Sequence, residues 1–220
     1  MRFLALALTL LIAGCQTQLR KAPAIQTWET RRAELQQRDR FALKARVAVA
    51  AGQEGFNARL RWAQAGAHSQ LSLDGPLGVG GAQVDFDGTT LSVRTSRGQH
   101  LSDAAARGEL ETRLGFEPPF QSLKFWIQGV PDPGSPADEV LDDQQRLASL
   151  RQGDWQIDYG NYANTHGQWL PERMTLQREG VRVRLLIDEW SSQTQLHPDP
   201  SPATGGGDMF LSRSPLGARG

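Results

Sequence analysis

The sequence predicts a mainly β protein: one long antiparallel sheet, wet on one face, with two helices inserted midway. Three observations carry this. Apolar residues recur at every second position through most of residues 41–190. Turn-forming pairs, Asp87-Gly88, Arg97-Gly98, Gly153-Asp154 and Glu179-Gly180, separate the runs. The alternation breaks between Ser102 and Gly129 and then resumes.

Ahead of the sheet, Arg2 gives a positive start, residues 3–13 are almost wholly apolar, and Ile12-Ala13-Gly14-Cys15 places small residues before a cysteine. This pattern reads as a lipoprotein signal over residues 1–14, with Cys15 as the lipid-bearing first residue of the mature chain. The apolar run is shorter than the roughly 20 residues that cross a bilayer, so a permanent transmembrane helix is the weaker reading. An ordinary signal peptide that happens to end at a cysteine is the other alternative. Cys15 is the sole cysteine in the chain, which excludes an intramolecular disulfide. Gln16 follows it where enterobacterial lipoproteins retained at the inner membrane carry aspartate, so the outer membrane is the expected destination.

Residues 15–26 are polar and read as a tether. A helix is expected from Thr27, a capping residue, with Trp28, Leu35 and Phe41 as a sparse apolar side. The strands then follow in order. Phe41, Leu43, Ala45, Val47 and Val49 alternate with a set containing Lys44 and Arg46. Phe56, Ala58, Leu60 and Trp62 alternate with Asn57, Arg59 and Arg61. Leu71 and Leu73, Val84 and Phe86, and Leu91 and Val93 continue the meander. Ser102-Asp103 starts a helix running through Leu110 and Leu114 to a stop at Gly115 and Pro118-Pro119. A second helix, Gln121 to Gln128, ends at Gly129-Val130-Pro131. Strands resume at Gln145 to Arg151, at Trp155, Ile157 and Tyr159, and near Met174 and Leu176. The last strand presents Val181, Val183, Leu185 and Ile187 on one face and ends at Trp190.

The domain is therefore expected over residues 27–190, and residues 191–220, rich in Pro, Gly, Ser and Thr, are expected to be a disordered tail. A one-sided sheet must bury its apolar face by closing, by covering itself, or by holding something greasy, and alternation does not choose among these. With 24 basic and 24 acidic residues the formal charge cancels, so no nucleic-acid partner is expected. His68, His100, His166 and His197 lack ligand spacing, and no metal or cofactor is expected.

One loop stands apart. Residues 74–81, Asp-Gly-Pro-Leu-Gly-Val-Gly-Gly, hold Leu77 between Pro76 and Gly78 among residues that favour tight exposed turns. The local sequence leaves two readings open: Leu77 protrudes, or it folds back onto the rim. The glycines do not form a phosphate loop, since neither G-x-G-x-x-G opening a helix nor Gly-Lys-Ser/Thr is present.

Taken together, the lipobox, Arg59-x-Arg61-Trp62, Gly75-Pro76-Leu77-Gly78, Trp126-x-x-Gly129-x-Pro131, Leu141-Asp142-Asp143-Gln144-x-Arg146-Leu147, Trp155-x-x-x-Tyr159, Leu170-Pro171 and a final strand closing on Trp190 resemble the LolB family. The match runs in order over roughly residues 28–190 and leaves out the Pro/Gly tail. What the resemblance implies is an open, incomplete antiparallel β-barrel with helices over an apolar cavity. That cavity accepts the acyl chains of a lipoprotein from a soluble periplasmic carrier, LolA, and the cargo is placed among outer-membrane lipids. A monomer is expected. In this family a leucine on a protruding loop serves membrane insertion, and by motif it is Leu77. Trp62, Leu71, Leu73, Phe86, Trp126, Trp155, Tyr159, Ile187 and Trp190 are the candidates for the cavity wall or its lid, with plain core packing as the alternative for each.

An enzyme, a hydrolase in particular, is the weaker class. No G-x-S-x-G elbow or H-E-x-x-H helix occurs, and Asp142-Asp143, expected in a strand, would point to opposite faces. A non-enzymatic envelope scaffold or glycolipid-binding lipoprotein would share the lipobox and the sheet but gives no reason for an exposed Leu77.

Overall fold

The computed structural model describes residues 26–75 and 81–191. Cys15, Pro76, Leu77, Gly78 and nearly all of the tether and tail lie outside the described residues.

The first helix, α1 (Trp28–Gln37), begins where expected: Thr27 caps it, its Oγ1 accepting from the Thr30 amide at 3.4 Å. It ends earlier than its apolar side suggested, because Arg38 is already extended, and Phe41 belongs to the first strand. Trp28, Arg31 and Leu35 are its buried residues. Three polar contacts strap it down: the Trp28 indole donates to Glu139 at 2.6 Å, Arg32 pairs with Glu139 at 2.8 Å, and Gln36 donates to the Pro131 carbonyl at 2.9 Å.

The meander follows as β1 (Arg40–Ala51), β2 (Glu54–Ala65), β3 (His68–Asp74), β4 (Ala82–Phe86), β5 (Leu91–Thr95) and β6 (His100–Ser102). Then come α2 (Asp103–Leu114) and α3 (Phe120–Trp126). The chain returns through β7 (Ala137–Leu141), β8 (Leu147–Gln152), β9 (Trp155–Tyr159), the hairpin β10 (Tyr162–Thr165) and β11 (Gln168–Pro171), then β12 (Arg173–Arg178) and β13 (Val181–Ser191). Among the described residues β1 to β9 and β12 to β13 form one 11-stranded antiparallel sheet, ordered β6-β5-β4-β3-β2-β1-β13-β12-β9-β8-β7. The first and last strands meet in its centre, where β1 pairs with β13. The edge strands β6 and β7 do not pair with each other, so the sheet is open and is not a closed barrel.

Four details differ from the sequence expectation. The second inserted helix spans Phe120 to Trp126, not Gln121 to Gln128, since Pro119 sits at its start and Gly129 adopts φ +79 just beyond its end. Strands β6, β7, β10 and β11 are additional; β6 has only three residues, and β7 is a polar edge strand holding Asp138 and Glu139. Strand β8 starts at Leu147, not Gln145, because Gln145 has φ +58 in a turn. Asp142 and Asp143 occupy that turn and not a strand. Asp142 organises it, accepting from the Gln144 and Arg146 amides at 2.9 and 3.0 Å and pairing with the Arg146 guanidinium at 2.7 Å.

The last strand contains a bulge. Ala45 pairs with Ile187 and Lys44 with Glu189, leaving Asp188 as the extra residue. The bulge changes the parity of the strand, which is why both Ile187 and Trp190 face the core. The inner sheet face, α1, α3 and the stretch from Phe116 to Val130 make the main core; Ala82, Val84, Phe86, Leu91 and Val93 pack with Ala106, Leu110 and Phe120 in a second.

Candidate functional site

Where the concave sheet face meets α2 and α3, the side chains leave a cavity of about 100 Å³. Its floor comes from alternate residues of seven strands: Val47 and Val49, Phe56, Leu60 and Trp62, Leu71 and Leu73, Val84, Trp155, Met174 and Leu176, Val183 and Leu185. Its roof is Leu110 and Leu114 of α2, Phe116, Pro118 and Pro119 of the connector, Phe120 and Leu123 of α3, and Ile127. Every one of these is aliphatic, aromatic, a thioether or a proline. Period-two alternation delivers this surface: each strand sends its odd or even set inward, and the Arg, Lys, Asn and Gln of the other set stay in water. Trp62 adds its ring without an unpaired donor, because its indole N–H reaches Gln64 at 3.1 Å.

The roof is latched at two points. Gly115, the left-handed cap of α2 at φ +77, lies so close to β1 that a Cβ there would come within 2.5 Å of the Ala51 Cβ. Phe116 then reaches across to β9, its ring 5.7 Å from that of Trp155, and the Arg178 guanidinium covers both rings. Beside the latch is a mouth of about 370 Å³ sharing Val49, Phe56, Leu73, Leu110 and Leu114 with the cavity. Gly75 and Ala82 are on its rim, so the chain leaves for residues 76–80, and returns from them, beside the opening.

Of the residues singled out from sequence, Trp62, Leu71, Leu73 and Trp155 line the cavity. The structure places Phe86, Trp126, Tyr159, Ile187 and Trp190 outside that lining, in the packed walls. Phe86 stacks on Phe120 at 5.6 Å. The Trp126 indole donates to Gln152 at 2.7 Å, the Tyr159 hydroxyl to the Trp126 carbonyl at 2.9 Å, and the Trp190 indole to the Pro171 carbonyl at 3.0 Å. Ile187 is packed in the main core. For Trp126, Tyr159 and Trp190 the place of the hydrogen-bond partner, outside the lining, accounts for the difference. Sequence reasoning missed the whole roof and nine of the thirteen floor residues. The signal was available for Val47, Val49, Leu60, Leu176, Val183 and Leu185, which share the inward parity of their strands, but not for Phe116, which lies in an irregular connector.

Burial raises the Tyr159 hydroxyl well above its usual range, and burial with the nearby Asp142 charge does the same for Tyr162, so both rings are neutral donors. Desolvation lowers the Arg31 and Arg38 guanidinium groups, which still carry charge. No charged side chain lines the cavity. Among the described residues no three His, Cys, Asp or Glu side chains are grouped to hold a metal. His68 sits 3.7 Å from Asp85 with both exposed, far from the arrangement of a nucleophile and its base. The arrangement is suited to excluding water from an apolar ligand.

The comparisons with known proteins agree with this geometry. Residues 39–190 match the family model described as "Outer membrane lipoprotein LolB". The chain is 32% identical over 193 residues to the outer-membrane lipoprotein LolB of Pseudomonas aeruginosa PAO1, covering 86% of this chain and 94% of that one. It is 33% identical over 185 residues to the LolB of Nitrosococcus oceani, covering 82% and 92%. Among solved structures, a DUF1329 family protein from Desulfovibrio piger superposes with a TM-score of 0.54 at 12% identity, covering 77% of this chain and 92% of that one, a likeness of fold alone.

Proposed function

We propose, from the premise that this chain belongs to the LolB family of outer-membrane lipoproteins, that it receives lipoproteins at the outer membrane by enclosing their acyl chains in the cavity beneath α2 and α3 and then releases them into the bilayer. The observation that carries this reading is the wholly apolar lining of a cavity in a sheet that leaves its edges unpaired. Exposing an acyl chain to water costs about 0.8 kcal/mol per methylene, so a lipid of this kind needs cover during each transfer. No nucleotide is needed if affinity rises from carrier to receptor to bilayer.

At about 100 Å³ the cavity is smaller than the roughly 150 Å³ void that takes up benzene, and a long acyl chain needs several times that space. The roof therefore lifts during uptake, with the latch at Gly115 and Phe116 as the part that gives. Leu77 enters as the membrane-contacting residue by motif; it follows Gly75, which lines the mouth, by two residues in the chain. A LolA-like carrier is the donor, Cys15 the lipid anchor, and the protein is not an enzyme on this reading.

The test is transfer. Purified protein is mixed with a carrier loaded with labelled lipoprotein and then with liposomes, without nucleotide. The expected result is label on the receptor and then on liposomes, with Leu77→Glu accepting label but failing to pass it on. Normal delivery by Leu77→Glu removes the role given to Leu77; no movement of label to the unmodified protein removes the receptor reading.

A further inference from the structure

The outer face of the same sheet is built differently from its inner face. Lys44 and Arg46 of β1, Arg59 and Arg61 of β2, Arg173 of β12 and Arg184 of β13 line one open groove of about 1430 Å³, against only two acidic residues, Asp74 and Asp188. In a chain whose charges cancel, this is a local concentration of positive charge. Register makes it unfavourable for the sheet itself. Arg46 stands directly opposite Arg59, and Lys44 directly opposite Arg61, whereas like charges in facing positions destabilise a strand pair. Ion pairs relieve only part of it: Lys44 with Glu189 at 2.8 Å, Arg46 with Asp188 at 2.8 Å and Arg61 with Asp74 at 3.1 Å. The guanidinium groups of Arg59, Arg173 and Arg184, all exposed, have no ionic or hydrogen-bonding partner among the described residues.

We propose that this groove is a docking face for anionic phospholipid headgroups, with Arg59, Arg173 and Arg184 as the residues that hold phosphate. Three observations select this occupant. Guanidinium forks match phosphate oxygens bidentately, and three unpaired forks in one groove fit several anions spaced over a surface. Gly75 lines both this groove and the mouth of the cavity, so headgroups held here bring the mouth to the bilayer. A protein anchored to the outer membrane also meets that anionic surface at high effective concentration, where contacts too weak to recruit a free protein suffice to orient a tethered one. The proposal uses the Leu77 reading only for the direction in which the mouth faces, and it is tested separately.

The test uses the mature chain from residue 15 carrying Cys15→Ala, so that no lipid is attached, and vesicles of phosphatidylcholine with or without phosphatidylglycerol. Sedimentation with the phosphatidylglycerol vesicles only, falling as salt is raised, is expected. Each guanidinium near such a surface strengthens binding about fivefold, so R59Q/R173Q/R184Q should bind on the order of a hundredfold more weakly. The variant R59K/R173K/R184K, which keeps the charge but not the fork, should bind more weakly than the parent and more tightly than the glutamine variant, and matching thermal melts establish that both variants fold. Leu77→Glu should keep the phosphatidylglycerol-dependent part, which separates this proposal from the reading of the loop. Equal binding to both vesicle types, or glutamine variants that bind as the parent does, overturns it. So does a glutamine variant with normal vesicle binding but impaired uptake from the carrier, which would assign the face to a protein partner.

Discussion

Truncating Phe116 to alanine distinguishes a cavity that stands ready from one that must open. Phe116 is 6% exposed and its main cross-sheet partner is Trp155. Phe→Ala in a packed interior costs about 3–5 kcal/mol, and a connector that can relax belongs at the low end, about 3 kcal/mol. The thermal midpoint should fall by about 6–12 °C, at 2–4 °C per kcal/mol for a domain of this size. Those contacts exist only with the roof down, so their loss raises the open population. The apparent dissociation constant for an acyl ligand is the intrinsic one divided by that population. An acyl chain touching one side of the ring forfeits about half of a phenylalanine's burial, about 1 kcal/mol. The net gain is about 2 kcal/mol, or roughly thirtyfold tighter binding. A preformed cavity predicts the reverse sign, about fivefold weaker binding, because only wall is lost. Displacement of a fluorescent fatty acid, measured below both melting temperatures, reads the sign directly. Weaker or unchanged binding alongside a lowered midpoint refutes the opening argument.

Two further variants probe the frame. Gln152 is 3% exposed and holds four bonds, accepting from the Trp126 indole and the Asp132 amide and donating to the carbonyls of Asp132 and Ser135; Gln152→Ala leaves two donors unpaired and should cost about 3 kcal/mol, read as a shift in the denaturation midpoint, while an unchanged midpoint would show that the node is dispensable. Asp142 is depressed below the usual carboxylate value: partial burial alone would raise it, but the Arg146 side chain and the Arg146 and Gln144 amides outweigh that. A depressed carboxylate contributes stability that is fully present above its unfolded value near 3.9 and is lost as pH falls through the lower folded value. The stability gap between the parent and Asp142→Asn should therefore be constant near neutrality and shrink below about pH 4. A gap that does not depend on pH in acid would mean that the turn does not rely on the carboxylate charge.

How far the sequence reaches is visible in particular residues. Thr27, the Asp87-Gly88 turn, Gly115 and the alternation from Phe41 to Val93 are local signals, and the elements they predict are where they were expected. The unpaired edges β6 and β7 are not local: whether eleven strands close depends on accumulated twist and on what covers the gap, and neither leaves a mark in alternation. Trp190 shows a subtler limit. Its inward position depends on the bulge at Asp188, which appears only when β1 and β13, from opposite ends of the chain, are set in register. Cavity and core also share one vocabulary. Trp62 and Trp126 look alike in sequence, and it is the position of a partner, Gln64 in the same strand or Gln152 across the fold, that turns one ring to the void and the other away.

A receptor that works without an energy source needs an affinity that lies between two others, and the roof supplies a way to set it. On the proposed reading the intrinsic affinity of the lining for an acyl chain grows with every methylene covered, which by itself would make release into a bilayer slow. Closing the empty cavity subtracts from that affinity, because each uptake first breaks the contacts of Phe116 with Trp155 and of Gly115 with Ala51. A latch worth about 3 kcal/mol lowers the apparent affinity on the order of a hundredfold without placing a polar group in the lining. It also keeps the apolar surface covered when no cargo is present, which an always-open cavity of the necessary size could not do. Closure then favours release, since the roof regains its contacts as the acyl chains leave. Variants that loosen the latch should bind cargo more tightly yet deliver it more slowly.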